Sequence, residues 1–148
     1  MTTELTDEQK HALPKKPDGT PYAIMIVDDS DFMVNNLKRI VLSFEGSVSE
    51  IAHDGREAVE KFQAMPEKPD LITMDLTMPR MNGLDAIREI RALHPAQKII
   101  VVSALGQKEL IQQAILLGAK HFIVKPFQRQ DVYRVVRSVL GIKSSEAE

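Results

Sequence analysis

Five short apolar runs alternate with longer polar and apolar stretches from Ala23 onward. The runs are AIMIV (23–27), VSEIA (48–52), DLITM (70–74), KIIVVS (98–103) and HFIV (121–124). Most of them are continuously apolar, which is typical of strands that are covered on both faces. Only VSEIA alternates with polar residues, and this pattern favours a strand at the edge of a sheet.

The stretches between these runs predict amphipathic helices, because their apolar residues recur at helical spacing. One such stripe comprises Phe32, Met33, Leu37, Ile40, Val41 and Phe44, another Leu84, Ile87, Ile90 and Leu93, and the last Val132, Val135, Val136, Val139 and Leu140. The boundary signals are Asp54-Gly55, Leu93-His94-Pro95, Gly118 and Gly141. Strand and helix alternating five times predict a doubly wound α/β domain, a five-stranded parallel sheet with five helices.

The length of 148 residues suits one such domain. A polar N-terminal extension is predicted over residues 1–21, where Thr6–Gln9 resembles a capping box and Pro14 to Pro21 resemble a linker. We therefore expect the domain over residues 22–141 and a solvated C-terminal tail over residues 142–148.

Charge and composition exclude several classes of protein. The net charge is −2 with lysine and arginine dispersed along the chain, so no electrostatic footprint for nucleic acid or an acidic membrane is present. The absence of cysteine excludes disulfides and thiolate metal sites. The charged N-terminal stretch has no apolar signal region, and no run reaches transmembrane length. We expect a cytoplasmic protein with neither nucleic acid nor membrane as a partner.

Polar side chains follow or end four of the five predicted strands. These are Asp28 and Asp29, then Asp75, Ser103 and Lys125. In doubly wound sheets ligands bind beyond the carboxyl ends of the strands, so these side chains are expected to meet. Three carboxylates make a hard oxygen site that suits Mg²⁺ or Mn²⁺, and an ammonium and a hydroxyl beside them would suit a phosphoryl group. Asp75, which stands alone after its strand, is the best candidate for a carboxylate nucleophile.

Each of these acids also has a simpler interpretation as a helix cap. Asp31 is expected to be only a cap and is left out of the site. In the segment LTMPRMNG, Pro79 predicts a bend, and Asn82-Gly83 would tolerate positive φ angles before the next helix.

Four motifs in order resemble one known family. VDDS (27–30), MDLTMPRMNG (74–83), SALG (103–106) and KPF (125–127) are similar to the response-regulator receiver domain, the CheY-like fold, over about residues 22–141. The resemblance implies the strand order 2-1-3-4-5 and phosphorylation of Asp75. It also implies that Asp29, Asp75 and the backbone carbonyl of Thr77 ligate Mg²⁺, with Asp28 acting mainly through a bound water.

The resemblance further assigns a conformational switch. Ser103 would turn inward to bond the phosphoryl group, Lys125 would pair with it, and Phe122 would swing inward with Ser103. Phe122 could equally be an ordinary core residue of its strand. The Lys125-Pro126 bond is expected to be cis, and Thr77 and Leu105 are expected to face the attacking water.

The function implied is that of a stand-alone response regulator rather than an enzyme, although it would assist its own Mg²⁺-dependent phosphorylation and dephosphorylation. A sensor histidine kinase or phosphotransfer protein would supply the phosphoryl group from a phosphohistidine. The surface of the fourth helix, fifth strand and fifth helix, about residues 107–140, would bind a protein target. The protein itself would be a monomer or weak dimer. Chemotaxis, with the flagellar motor switch as target, is the leading hypothesis.

Other functions remain open at this stage. The chain could be a phosphorelay intermediate, a non-chemotactic receiver or a docking module that is never phosphorylated. A small aspartate-nucleophile phosphatase of the haloacid dehalogenase type would also combine Asp, Ser or Thr, Lys and Mg²⁺ on a doubly wound sheet. Asp29-Ser30-Asp31 mimics the Asp-x-Asp motif of those enzymes. The chain has no room for the cap domain of those enzymes and lacks their later acidic pair.

Overall fold

The computed structural model describes residues 12–78 and 80–142. The possible capping box at Thr6–Gln9, the bend at Pro79 and most of the predicted tail lie outside the described residues. Five strands form one parallel sheet in the order β2-β1-β3-β4-β5, as predicted. They are β1 (Ala23–Val27), β2 (Ser47–Ala52), β3 (Leu71–Asp75), β4 (Ile99–Ala104) and β5 (His121–Lys125).

Five helices connect and follow these strands in the described part of the chain. They are α1 (Asp31–Ser43), α2 (Gly55–Ala64), α3 (Gly83–Leu93), α4 (Lys108–Leu116) and α5 (Arg129–Leu140). Side chains of β1 alternate between two cores: Met25 packs with α2 and α3, whereas Ile26 packs with α1 and α5. The sheet is therefore covered on both faces, which explains why its central strands are continuously apolar.

The predicted strand limits are correct to within one residue. However, β3, β4 and β5 each end one residue later than predicted, which brings Asp75 and Lys125 into the strands. Asp75 and Lys125 are the last residues of their strands, and Ser103 lies within β4. Because strand backbone is held by its neighbours, these side chains project from rigid positions rather than from loops. The edge position predicted for the second strand is confirmed.

The prediction that Asp31 caps α1 is wrong. Ser30 is the cap, and its hydroxyl accepts the Met33 N–H at 3.3 Å. Asp31 is the first helical residue, and its Oδ1 lies 3.2 Å from Nε2 of His53 on the edge of the sheet. An acid in the first turn is still favourable, because the helix dipole places positive potential there.

Neither Asn82 nor Gly83 adopts the positive φ that this pair would tolerate. Asn82 caps α3 with φ −74°, and the left-handed residue of this loop is Arg80, with φ 63°. Gly83 is required for space instead: a Cβ there would lie 2.3 Å from the carbonyl oxygen of Asp75 and 2.8 Å from the Cα of Leu76. The start of α3 therefore touches the backbone that carries Asp75.

The described part of the N-terminal extension lies against the domain. Leu13 is only 5% exposed, belongs to the core formed with α1 and α5, and donates its N–H to the carbonyl of Phe44 at 2.8 Å. The Tyr133 hydroxyl donates to the carbonyl of Ala12 at 3.2 Å, and Lys16 pairs with Asp70 at 3.1 Å. The boundary near residue 21 stays a prediction, but residues 12–20 do not behave as a free linker.

Leu13→Ala is expected to lower the free energy of unfolding by about 2 kcal/mol, because it removes a buried side chain and leaves a cavity. Leu42→Ala on α1 is the matched control, since Leu42 is 53% exposed and should change stability by less than about 0.5 kcal/mol. Urea denaturation measures both. Equal effects of the two variants would contradict the docking of this segment.

No helix in the described portion of the chain is long and apolar enough to cross a membrane.

Candidate functional site

Three carboxylates meet at the carboxyl edge of the sheet. Asp28 and Asp29 directly follow β1, and Asp75 ends β3, which pairs with β1. One oxygen from each of the three lies within 4.8 Å of the others. Asp28 and Asp75 are buried, whereas Asp29 is exposed. The parallel pairing of β1 and β3 thus creates the acidic cluster predicted from the sequence.

Asp75 is held in place by its own loop. Its Oδ1 accepts the Thr77 N–H at 3.1 Å, and its Oδ2 lies 3.7 Å from Nζ of Lys125. Burial, together with the nearby Asp28 and Asp29 charges, raises the pKa of Asp75 to about 6, against the opposing effects of the Thr77 N–H and Lys125. Burial, reinforced by the two neighbouring acids, therefore opposes the ionisation of Asp75 more than Thr77 and Lys125 favour it.

Lys125 places its ammonium between two of the acids. Its Nζ lies 3.1 Å from Oδ2 of Asp28, closer than to Asp75. Oδ2 of Asp28 therefore forms an ion pair with Lys125, but it accepts no hydrogen bond of good geometry from the described residues. The other oxygen, Oδ1, accepts the Ser30 N–H at 2.9 Å. The positive charge of one lysine thus offsets only part of the negative charge of three carboxylates.

Ser103 is fully buried, and its hydroxyl is directed to a glutamine. It donates to Oε1 of Gln107 at 2.5 Å, and the same oxygen accepts the Ala104 N–H at 2.9 Å. Nε2 of Gln107 donates to the Thr77 hydroxyl at 2.8 Å. Gln107 was missed by sequence reasoning, because a glutamine before a helix carries no signal of its own.

Comparison with known proteins identifies the family. The model of the response regulator receiver domain matches residues 24–137, which is most of the chain. The chain belongs to the response regulator receiver family. It is 44% identical over 126 residues to the chemotaxis protein CheY of Treponema pallidum, covering 85% of this chain and 88% of the relative. It is 50% identical over 116 residues to CheY of Thermotoga maritima, covering 78% of this chain and 95% of that relative.

A solved structure supports the same assignment. The fold matches a structure described as the CheX-CheY-BeF3-Mg+2 complex from Borrelia burgdorferi, with a TM-score of 0.80 and 38% identity. The match covers 85% of this chain and 93% of that chain. The CheY-like fold predicted from the sequence is confirmed. Members of this family are response regulators rather than conventional enzymes.

Two other residues that were expected to act in the receiver, Leu105 and Phe122, line an apolar cavity beside the site. Phe122 is 40% exposed and lies outside both cores, so its alternative interpretation as an ordinary core residue is wrong. It lines a cavity of about 390 Å³ together with Leu105, Ile111 and Val124. The Lys125-Pro126 peptide bond is cis, as the resemblance implied.

A second polar cluster flanks the receiver site without entering it. Asp54 caps α2, accepting the Glu57 N–H at 2.8 Å, and it also pairs with the guanidinium of Arg80. Burial opposes the ionisation of Asp54, but these two partners together hold its pKa below the ordinary value. This contact ties the loop after β3 to the start of α2, and it places Arg80 away from Asp75.

The acidic cluster fits a divalent cation. Hard oxygen ligands suit Mg²⁺, and a cation there would offset both the burial of the Asp75 charge and its repulsion by Asp28 and Asp29, which raise its pKa. The position of the Thr77 backbone is constrained by the bond from its N–H to Asp75. The assignments of Asp28, Asp29, Asp75 and the Thr77 carbonyl as ligands remain predictions.

Proposed function

We propose that this receiver is switched by phosphorylation of Asp75. The observation that carries the proposal is the position of this buried carboxylate, within 4.8 Å of oxygens of two other acids and 3.7 Å from the ammonium of Lys125. A strand-end nucleophile, a cation site and a lysine are the parts that phosphoryl transfer requires. Asp75, Lys125 and Ser103 would act together on the phosphoryl group.

The donor in this proposal is a phosphohistidine on a sensor histidine kinase or phosphotransfer protein. An oxygen of the ionised Asp75 carboxylate attacks phosphorus, the P–O bond forms, and the P–N bond to the donor breaks. The donor imidazole takes up a proton as it leaves, and Asp75 becomes an acyl phosphate. Water later attacks the same phosphorus, which releases inorganic phosphate and restores the carboxylate.

Asp28, Asp29, Asp75 and the carbonyl of Thr77 would hold Mg²⁺. When bound, the ion supplies positive charge that neutralises the acids and stabilises the charge on the transferring group. Mn²⁺ has similar ligand preferences and would be an alternative. Support comes from the three converging carboxylate oxygens and from the Mg²⁺ named in the description of the Borrelia burgdorferi structure.

The protein's own residues would convert phosphorylation into a change of surface. Lys125 would transfer its pairing from Asp28 to the phosphoryl oxygens, and Ser103 would turn to donate a hydrogen bond to them. Phe122 would then move into the space vacated beside Ser103. The exposed Phe122 ring and the cavity next to it support this movement.

The surface that changes would be formed by α4, β5 and α5. We propose a chemotaxis role in the cytoplasm, with a protein of the flagellar motor switch as target, because relatives at 44% and 50% identity are named chemotaxis protein CheY. CheX, named with CheY in the Borrelia burgdorferi structure, shows that a relative has a protein partner. A phosphorelay or other non-chemotactic role would use the same site. We expect a monomer or weak dimer.

A phosphatase that turns over small substrates is disfavoured by the position of Asp31. In the Asp-x-Asp interpretation Asp29 and Asp31 would both serve catalysis, but Asp31 pairs with His53 and is not part of the acidic cluster. Self-catalysed gain and loss of one phosphoryl group, rather than sustained turnover, is therefore the activity we propose.

Labelling with a small phospho-donor tests the function directly. With Mg²⁺ and acetyl phosphate, the protein should gain one base-labile phosphoryl group on Asp75, detected by intact mass and peptide mapping. Excess chelator should prevent labelling while leaving the circular dichroism spectrum unchanged, since the metal is required by the site and not by the core. Labelling that persists in chelator would contradict the metal assignment. Steady release of phosphate that depends on Asp29 but not on Asp75 would favour the phosphatase.

A further inference from the structure

Gln107 occupies the position from which it can control the switch serine. Its Oε1 accepts two hydrogen bonds, from the Ser103 hydroxyl at 2.5 Å and from the Ala104 N–H at 2.9 Å. The amide orientation follows from these partners, because a backbone N–H can only donate and must therefore face the oxygen. This leaves Nε2 to donate to the Thr77 hydroxyl, at 2.8 Å.

This side chain is not needed to start its own helix. Gln107 is the residue that precedes α4, but its side chain makes no capping bond to the helix N–H groups. Its polar atoms are instead directed backward to β4 and across to the loop that follows Asp75. The three hydrogen bonds therefore connect the serine with the acceptor loop.

We propose that Gln107 is a latch that holds Ser103 in the unphosphorylated orientation. The inference rests on the proposed function, in which Ser103 must turn toward a phosphoryl group on Asp75. The serine hydroxyl has one proton, so it cannot donate to Gln107 and to the phosphoryl group together. Each activation event must therefore break the bond between Ser103 and Gln107.

The latch would act by setting the fraction of molecules in which Ser103 has the active orientation. A ligand that binds only the active orientation shows an affinity reduced by the fraction of molecules in that orientation. Breaking one ordinary hydrogen bond that favours the inactive orientation should raise that fraction by about fivefold. Gln107 is thus a positioning residue: it sets how readily Ser103 responds and does not touch the reacting atoms.

Gln107→Met tests the latch, because methionine keeps the length of the side chain and removes both polar ends. Calorimetric titration with beryllofluoride at saturating Mg²⁺ should show about fivefold tighter binding than the wild type. Gln113→Met, at an exposed glutamine of the same helix, should leave the affinity unchanged. In a Ser103→Ala background Gln107→Met should give no gain, since the bond is already absent.

Hydrogen exchange supplies a readout that needs neither metal nor phosphoryl mimic. In metal-free protein the Ala104 amide should exchange faster in Gln107→Met, because its acceptor is removed. A gain in beryllofluoride affinity that is the same with and without Ser103 would overturn the latch, as would unchanged or weaker binding by the single variant. If the wild type itself binds no beryllofluoride, the proposed function fails and the latch fails with it.

Discussion

Asp75→Asn is expected to abolish phosphorylation while making the metal-free protein more stable at pH 7. The amide cannot attack phosphorus, so labelling by acetyl phosphate should fall to background. In wild type the carboxyl group is buried beside Asp28 and Asp29, and its pKa is raised from 3.8 to about 6. Removing its charge should therefore raise the free energy of unfolding by about 1–3 kcal/mol.

The size of this effect depends on pH. A carboxyl whose pKa is raised by folding destabilises the native state once it ionises, so the penalty is absent near pH 3 and complete above about pH 6. The gain from Asp75→Asn should consequently be present at pH 7 and vanish toward pH 3. Mg²⁺ should reduce the gain at pH 7, because the wild type binds the cation more tightly than the variant.

Urea denaturation in chelator at several pH values measures the gain. Asp85→Asn is the matched control, since this aspartate is about half exposed and pairs with Arg88 on the surface of α3, and it should change stability by less than about 0.5 kcal/mol. Equal stability of Asp75→Asn and wild type at pH 7 would show that burial and the neighbouring acids do not penalise the Asp75 charge. Retained labelling of Asp75→Asn would place the acceptor elsewhere.

Gly83→Ala is expected to destabilise the fold and to slow phosphorylation together. The new Cβ would lie 2.3 Å from the Asp75 carbonyl oxygen and 2.8 Å from the Leu76 Cα, which are backbone atoms that no rotamer change can move. Either α3 or the end of β3 must shift, at a cost of about 1–3 kcal/mol. Because the displaced backbone carries Asp75, the labelling rate should fall even in the fraction that remains folded.

Gly141→Ala separates these two effects. Gly141 ends α5 with φ 75° and open space around its Cα, so alanine there costs about 1 kcal/mol through backbone strain without any clash. It should lower the denaturation midpoint but leave the labelling rate unchanged. If Gly83→Ala likewise lost stability alone, the contact between α3 and Asp75 would have no role in the site.

The sheet and the acidic cluster follow from local sequence features. Central strands of a parallel sheet are buried on both faces, so runs such as KIIVVS are continuously apolar and easily located. Parallel strands also point their carboxyl ends to one edge, which makes Asp28, Asp29, Asp75 and Lys125 predictable neighbours. The strand order itself came from the family resemblance and not from the apolar pattern.

Expectations from the sequence failed where a side chain contacts a distant part of the chain. Asp31 and Ser30 are equally good capping residues by type, but Ser30 is the cap and Asp31 pairs with His53 in the loop after β2. The pattern indicated conformational freedom at Gly83, but glycine is needed there for space, because the backbone of Asp75 and Leu76 approaches too closely for a Cβ. Leu13 lies in the extension that was predicted to be polar, but it is buried with residues of α1 and α5.

The alternation of elements, the edge of the sheet that carries the chemistry and the residues of the acidic cluster can therefore be derived from the order of the amino acids. Burial and periodicity are local properties of a strand or helix, and they leave a readable pattern. The folded chain was needed to see that Lys125 lies closer to Asp28 than to Asp75, and that Ser103 is bonded to Gln107. Hydrogen bonds and ion pairs depend on ångström distances between separate loops, and those distances exist only after the whole sheet has assembled.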